Sequence, residues 1–108
     1  MHTEQILTQL AELTQTNRKG VEALFEAEEE LAHAENELDA VEARAFLQAE
    51  GSVAERTQRA KLEAAEARLA RDIARAQVTR IKTKLRVIES EIVAQSTMAK
   101  LLAAEARL

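Results

Sequence analysis

One short pattern in the chain has the spacing of a metal site, Glu30-Leu31-Ala32-His33. Carboxylate-bridged metal sites in helical bundles use Glu-x-x-His twice, together with two further inward carboxylates. This sequence has one copy, and its other histidine, His2, lies near the start of the chain. We therefore interpret His33 as a solvent-facing side chain, and we predict neither a metal site nor a cofactor.

The remaining sequence shows no arrangement typical of an enzyme. The chain contains no cysteine, which excludes disulfides, thiolate metal ligands and a cysteine nucleophile. It also lacks a recognisable Ser/His/Asp arrangement, glycine-rich phosphate loop or nucleotide motif. We expect a protein with no catalytic residues.

A group of basic residues is the strongest candidate for a binding surface. Its members are Arg18, Lys19, Arg80, Lys82, Lys84 and Arg86. The last four flank an apolar line on both sides at about 100° per residue, and charges at the edge of a helical seam select partners. We expect them to meet acidic residues of a second subunit or an acidic protein. Nucleic acid is the alternative, disfavoured because no aromatic side chain lies nearby to stack on bases.

These residues are positioned by helices that reverse direction at Gly51. Glycine tolerates the left-handed backbone that ends many helices, and Ser52 with Glu55 forms a capping box that starts the next one. About fifty residues without proline lie on either side. The sequence predicts an all-α, antiparallel two-helix coiled-coil hairpin, with helix 1 over about 3–50, a turn at 51–52 and helix 2 over about 53–108.

Both predicted helices carry apolar residues at heptad spacing. In helix 1 the stripe is interrupted by a polar stretch at 14–20, which we interpret as a weak point in a continuous helix because the heptad phase is the same on both sides. In the first half of helix 2 the predicted seam is Leu62, Ala65, Leu69, Ile73 and Ala76. Between Leu69 and Ile81 the spacing slips, which predicts a stutter.

Opposite charges in the two halves favour the antiparallel pairing. Residues 1–50 hold 12 acids and 3 bases, whereas residues 51–108 hold 7 acids and 12 bases. Folding at Gly51 places the acids of 22–42 opposite about 61–81, where many of the bases lie. We expect ion pairs across this seam to fix the alignment, each contributing about 0 to 1 kcal/mol. An acidic helix 1 face left unpaired would instead favour a protein that mimics nucleic acid.

The apolar surface broadens toward the open end of the predicted hairpin, which predicts contact with more than one helix. We therefore expect a homodimer through that end. The residues of this predicted interface are Ile6, Leu10, Leu13, Ile81, Leu85, Ile88, Ile92 and Leu102.

The passage from Val41 to Arg59, which contains Ala-Phe-Leu-Gln-Ala-Glu-Gly-Ser-Val-Ala-Glu-Arg, resembles the turn region of small helical proteins encoded by bacteriophages and prophages. The resemblance implies a phage-type accessory or adaptor protein that contacts a DNA-processing or host-defence protein. This sequence lacks the aromatic-rich end of helix 2 associated with that family.

The sequence as a whole thus predicts a non-enzymatic protein-interaction module with an unknown protein partner. The alternatives are a nucleic-acid-binding accessory protein that uses the basic group, and a structural spacer. No signal-peptide pattern or membrane-spanning run appears, so we expect a cytoplasmic protein, in the host cytoplasm if it is phage-encoded, without membrane contact.

Overall fold

The computed structural model describes residues 2–107, and in that range the chain forms helices and no strands. Helix α1 is His2–Gln48, α2 is Val53–Glu63 and α3 is Ala65–Ala106. The predicted all-α class is confirmed. Leu108, the predicted end of helix 2, lies outside the described residues. Within residues 2–107, none of the helices has the length and apolar character needed to cross a membrane.

Helix α1 runs through the polar stretch at 14–20 without interruption. Threonine is a weak helix former because its hydroxyl competes for backbone hydrogen bonds. Here the hydroxyls of Thr14 and Thr16 donate to the carbonyl oxygens of Leu10 and Glu12, one turn earlier, at 2.8 and 2.9 Å. These bonds keep the threonines within the helix and occupy hydroxyls that would otherwise favour a turn.

The chain divides into two compact units. Unit 1 combines Met1–Leu24 with Arg80–Leu108, and unit 2 is Phe25–Thr79. Unit 2 holds 13 acidic and 7 basic residues, a net charge of -6, whereas unit 1 holds 6 acidic and 8 basic residues, a net charge of +2. Negative charge is therefore concentrated in unit 2.

The turn in unit 2 depends on glycine at one position. Gly51 has a φ of 107°, a backbone conformation that side-chain-bearing residues rarely adopt. A Cβ built there would lie 2.5 Å from Oε2 of Glu55. Ser52 caps α2, since its hydroxyl oxygen accepts from the backbone N–H of Glu55 at 3.2 Å. The turn therefore brings together the three residues predicted to form it.

A further pair, which the sequence interpretation did not assign to the turn, joins the two helices around it. The Nε of Arg56 donates to the carbonyl oxygen of Phe46 at 3.1 Å, and its guanidinium carbon lies 4.3 Å from the centre of the Phe46 ring. Phe46 is in the last turn of α1, where carbonyl oxygens have no partner within the helix. Arg56 thus satisfies an unpaired carbonyl and adds a cation–π contact.

The face of α2 and α3 that is covered in unit 2 differs from the predicted seam. The five residues of the predicted seam, Leu62, Ala65, Leu69, Ile73 and Ala76, are all exposed. The covered positions are instead mostly alanines, which we call the inner face: Ala60, Ala64, Ala67, Ala74 and Val78. Small side chains allow two helix backbones to approach closely. The predicted seam was wrong because it was chosen by spacing, and spacing is helical on both of these opposite faces.

The predicted single helix 2 is interrupted at Ala64, earlier than the predicted stutter. Ala64 separates α2 from α3 and is fully buried, at 0% exposure. The Nη1 of Arg68 donates to the carbonyl oxygen of Lys61 across this interruption at 3.3 Å, and its Nη2 lies 3.0 Å from Oε1 of Glu42 on α1. Arg68 therefore both bridges the break and connects it to α1.

In unit 1 the second glycine marks a close approach between helices. A Cβ built on Gly20 would lie 2.5 Å from Cδ2 of Leu85, and Leu85 is buried at 7% exposure. Leu85 thus occupies the space that a side chain at position 20 would fill. This contact places the middle of α1 directly against α3.

We expect Gly51→Ala to lower the free energy of unfolding by about 1 to 3 kcal/mol, because alanine is strained at this φ. Urea denaturation followed by circular dichroism measures the change. Gln48→Ala, at an exposed position of the same turn region, is the control and should change stability by less than about 0.5 kcal/mol. Equal effects of the two substitutions would contradict the described turn.

We expect Gly20→Ala to lower the free energy of unfolding when Leu85 is present and to raise it when position 85 is alanine. With Leu85 present the new Cβ overpacks the contact and destabilises the protein. In a Leu85→Ala background the same change gains up to about 1 kcal/mol from helix propensity. A double-mutant cycle should give a coupling of about 1 kcal/mol or more. Additive effects would show that the two residues are not in contact.

Candidate interaction surfaces

The eight residues predicted to form a dimer interface all belong to unit 1. Ile6 and Leu85 are buried, at 9% and 7% exposure. The other six are half-buried. These side chains are covered within one chain, where they supply the apolar contact between the helix segments of unit 1.

The six basic residues predicted to contact a partner also belong to unit 1. All six, Arg18, Lys19, Arg80, Lys82, Lys84 and Arg86, are exposed. None of them forms an ion pair with another residue in the range 2–107. The structure therefore brings the two parts of the predicted basic group into one unit and leaves their charges accessible to solvent.

Neutralisation of the acidic part of α1 is much less complete than predicted. Within residues 2–107, Arg68 and Glu42 form the only ion pair that joins different helices. Arg71, one of the bases expected opposite the acids, pairs with its neighbour Asp72 at 2.8 Å. Because Arg68 and Glu42 are 34% and 40% exposed, the pair contributes at most about 1 kcal/mol. Ion pairing alone therefore cannot fix the alignment of these helices.

The acidic residues of α1 in unit 2 lie along both edges of its covered face. At about 100° per residue, one edge carries Glu28, Glu35 and Asp39, on the same side as Glu42. The other edge carries Glu26, Glu30 and Glu37; we call these three residues the acidic edge. All six carboxylates are exposed.

The two edges face different surroundings. Glu42 and its edge face the side of α2 and α3 that carries Arg68, and at about 100° per residue Lys61 and Arg75 lie on that side as well. Within the acidic edge, Glu30 lines a groove that has no basic side chain in its lining. That groove is lined by Glu30, Ala34, Ala70, Ile73, Ala74 and Gln77. Glu30 is therefore a carboxylate that borders a groove without a positive charge in its lining.

The Glu30-x-x-His33 spacing does not assemble a cluster of metal ligands. His33 lies 3.9 Å from Glu29, and both side chains are more than 75% exposed. Glu30 lines the groove described above. Across residues 2–107 no group of three or more acidic or histidine side chains is arranged to hold a metal ion.

Asn17 is a polar residue on the covered side of α1 in unit 1. It is half-buried, and its Oδ1 is the buried side-chain atom in residues 2–107 that has no hydrogen-bond partner. An unsatisfied buried oxygen costs about 1 to 3 kcal/mol.

The exposed large apolar side chains of α2 and α3 form a surface that the sequence interpretation had placed inside. Leu62, Leu69 and Ile73 are 78%, 60% and 62% exposed. The sequence already indicated that these residues share one helix face, because they recur at helical spacing. What spacing alone could not indicate is which of two opposite faces, the leucine face or the alanine face, packs against α1.

Comparison of the chain with protein-family models, curated proteins and solved structures finds no match.

Proposed function

We propose that this protein is a non-enzymatic protein-interaction module that binds a basic partner protein through its acidic edge. The observation that carries the proposal is the exposure of Glu26, Glu30 and Glu37 on one edge of α1, where Glu30 lines a groove without basic side chains. We further propose that the chain forms an antiparallel helical hairpin. The contacts of Phe46 with Arg56, Glu42 with Arg68 and Gly20 with Leu85 support it.

The density of charge on α1 supports a basic partner. Residues 26–39 contain seven acidic residues and no lysine or arginine. At about 1.5 Å per residue these fourteen positions span about 21 Å, or one negative charge per about 3 Å. A single nucleic-acid strand carries one phosphate per about 3.4 Å. The helix as a whole therefore carries negative charge at nearly the linear density of a nucleic-acid strand, and three of its seven charges belong to the acidic edge.

This charge is available for binding because the chain itself does not neutralise it. A carboxylate already paired within the protein must break that pair before it meets a partner. The carboxylates of the acidic edge have no such pair in the described residues, so they attract cations at long range and speed association. Salt at 0.1 M screens this attraction at distances beyond about 10 Å. Binding should therefore depend strongly on ionic strength.

The partner that fits this surface is a protein with a lysine- and arginine-rich face, of the kind that contacts nucleic acid. We therefore propose a phage-type accessory or adaptor role in the cytoplasm, in which the module occupies the basic surface of a DNA-processing protein. The resemblance of the turn region supports this role, and the charge of unit 2 supplies the physical basis for the contact.

We expect a fluorescent lysine- and arginine-rich peptide of about twelve residues to bind at about 50 mM salt, with affinity falling as salt rises. Combined Glu26→Gln, Glu30→Gln and Glu37→Gln substitutions should weaken binding about tenfold or more. Fluorescence anisotropy measures the change. Because these side chains are exposed, the substitutions should leave the helical content unchanged.

The matched control removes the same charge from the opposite edge, by Glu28→Gln, Glu35→Gln and Asp39→Asn. It should weaken binding by less than about threefold, since the positive side chains near Arg68 lie on that side. Equal losses from both triple variants would show a response to net charge alone and would contradict the acidic edge as the site. Absence of peptide binding at low salt would contradict the proposal as a whole.

Nucleic-acid binding by unit 1 is a second candidate function. It is favoured by the exposure of all six basic residues in that unit and by their freedom from ion pairs within residues 2–107. Phosphate contacts supply most of the affinity of such surfaces and need no base-specific geometry. The net charge of +2 in unit 1 makes it the part of the chain where a polyanion is attracted.

This candidate predicts that labelled single- or double-stranded DNA binds at about 50 mM salt. It also predicts that Lys82→Gln with Lys84→Gln reduces the affinity and the slope of affinity against salt. Lys100→Gln with Arg107→Gln removes equal charge elsewhere in unit 1 and serves as the control. Absence of any anisotropy change at low salt excludes the candidate.

A further inference from the structure

We propose that the groove beside Glu30 takes an arginine side chain of the basic partner. We call it the Glu30 groove, and its lining is Glu30, Ala34, Ala70, Ile73, Ala74 and Gln77. In this arrangement the guanidinium meets Glu30 and Gln77, and the methylene stem packs on the apolar residues. The inference rests on the proposed function, because it names the chemical group by which the basic partner is recognised.

The first support is the composition of the Glu30 groove. Four of its six lining residues are apolar, and the two polar ones, Glu30 and Gln77, both have side-chain oxygens that accept hydrogen bonds. The lining holds no lysine, arginine or histidine. A ligand that matches this groove must carry an apolar surface together with a positively charged group that donates hydrogen bonds.

The second support is that polar and apolar residues are separated along the groove. The contacts described above bring later residues of α2 and α3 beside earlier residues of α1. Glu30 and Gln77 therefore lie at one end of the groove, and Ala34 and Ala70 lie at the other. About one helical turn, roughly 6 Å, separates Glu30 from Ala34. The stem and guanidinium of arginine have a comparable length and the same order, apolar and then charged.

The third support is that the chain itself covers neither part of the groove. Ile73 is 62% exposed, and Glu30 is exposed and forms no ion pair within residues 2–107. Arginine packs its methylene stem along apolar surface while its charged head stays in polar surroundings. One arginine side chain would therefore cover Ile73 and neutralise Glu30 at the same time.

Arginine fits the Glu30 groove better than lysine does. Its planar guanidinium donates two parallel hydrogen bonds to one carboxylate, and its remaining N–H groups are free to donate to Oε1 of Gln77. Guanidinium is also more weakly hydrated than ammonium, so it loses less hydration energy on contact with Ile73 and the alanines. A purely apolar side chain would instead cover the Glu30 carboxylate without giving it a partner, at a cost in free energy.

Glu30 has a different role from the other two residues of the acidic edge. Glu26 and Glu37 share its edge of α1 but are not part of the groove lining. They attract a basic partner through charge, which lysine and arginine carry equally. Glu30 therefore governs the choice between arginine and lysine, whereas all three carboxylates govern the total affinity.

Two fluorescent peptides of about twelve residues test this choice by anisotropy; every basic position is arginine in one and lysine in the other. At about 150 mM salt, which screens general charge attraction, the arginine peptide should bind about fivefold or more tightly. Ile73→Ser should reduce this preference to less than about twofold, because the stem loses its apolar contact. Leu69→Ser is the matched control and should preserve it, since Leu69 is 60% exposed, one turn away on the same helix and outside the groove.

A second pair of variants separates Glu30 from the charge of its edge. Glu30→Gln should abolish the preference for arginine, whereas Glu37→Gln, which removes equal charge outside the groove, should weaken both peptides alike and preserve the preference. The same preference in both variants would overturn the inference.

The remaining outcomes distinguish failure of the groove from failure of the acidic edge. Equal affinity of the unmodified chain for the two peptides would overturn the inference and leave the acidic edge as the binding site. Tighter binding of a peptide with leucine in place of one arginine would show that the groove takes an apolar side chain, and would also overturn it. Absence of binding by both peptides at about 50 mM salt would overturn the acidic edge and this inference together.

Discussion

Close approach between helices is possible only where the side chains between them are small, and this constraint decides the arrangement of unit 2. Ala64 is fully buried, and the positions around it on the covered side are alanines as well. The larger residues Leu62, Leu69 and Ile73 then fall on the other side of the same helices, in solvent. In unit 1 the same constraint operates through Gly20, whose missing side chain leaves room for Leu85.

The positions of the charged residues in unit 2 follow from the fact that the alanine face packs inward. Once the alanine face packs inward, Arg68 lies where it can reach Glu42 and the carbonyl of Lys61, and the basic residues near it lie on one side of the contact. On the other side, the groove that Glu30 lines has no basic side chain. The distribution of free negative charge in unit 2 is thus a consequence of helix rotation and would be different if the leucine face had packed inward.

The sequence was sufficient to predict those features that depend on local chemistry. Gly51, Ser52 and Glu55 specify a turn through backbone conformation and capping, which act within a few residues. The helical class follows from composition, because strong helix formers dominate and proline is absent. The rotation of α2 and α3 about their axes could not be predicted in this way. It depends on whether close packing of alanines outweighs burial of leucines, and periodicity is the same for both faces.

The interruption at Ala64 and the contact between Arg56 and Phe46 were missed for a related reason. At each place a long arginine side chain reaches a carbonyl oxygen once helices are adjacent, and spacing along the chain does not reveal such contacts. Four members of the basic group were identified because they lie close together in the sequence, and the predicted alignment of the helices added Arg18 and Lys19, which belong to the same unit.

The inward position of the alanine face is tested most directly by thiol reactivity in single-cysteine variants, measured in dilute solution. The account predicts that a cysteine introduced by Ala64→Cys reacts with a disulfide reagent at least about a hundredfold more slowly than one introduced by Leu69→Cys, because a buried thiol reacts only after local opening. Equal rates, or a slower reaction at position 69, would show that the leucine face packs inward and would contradict it.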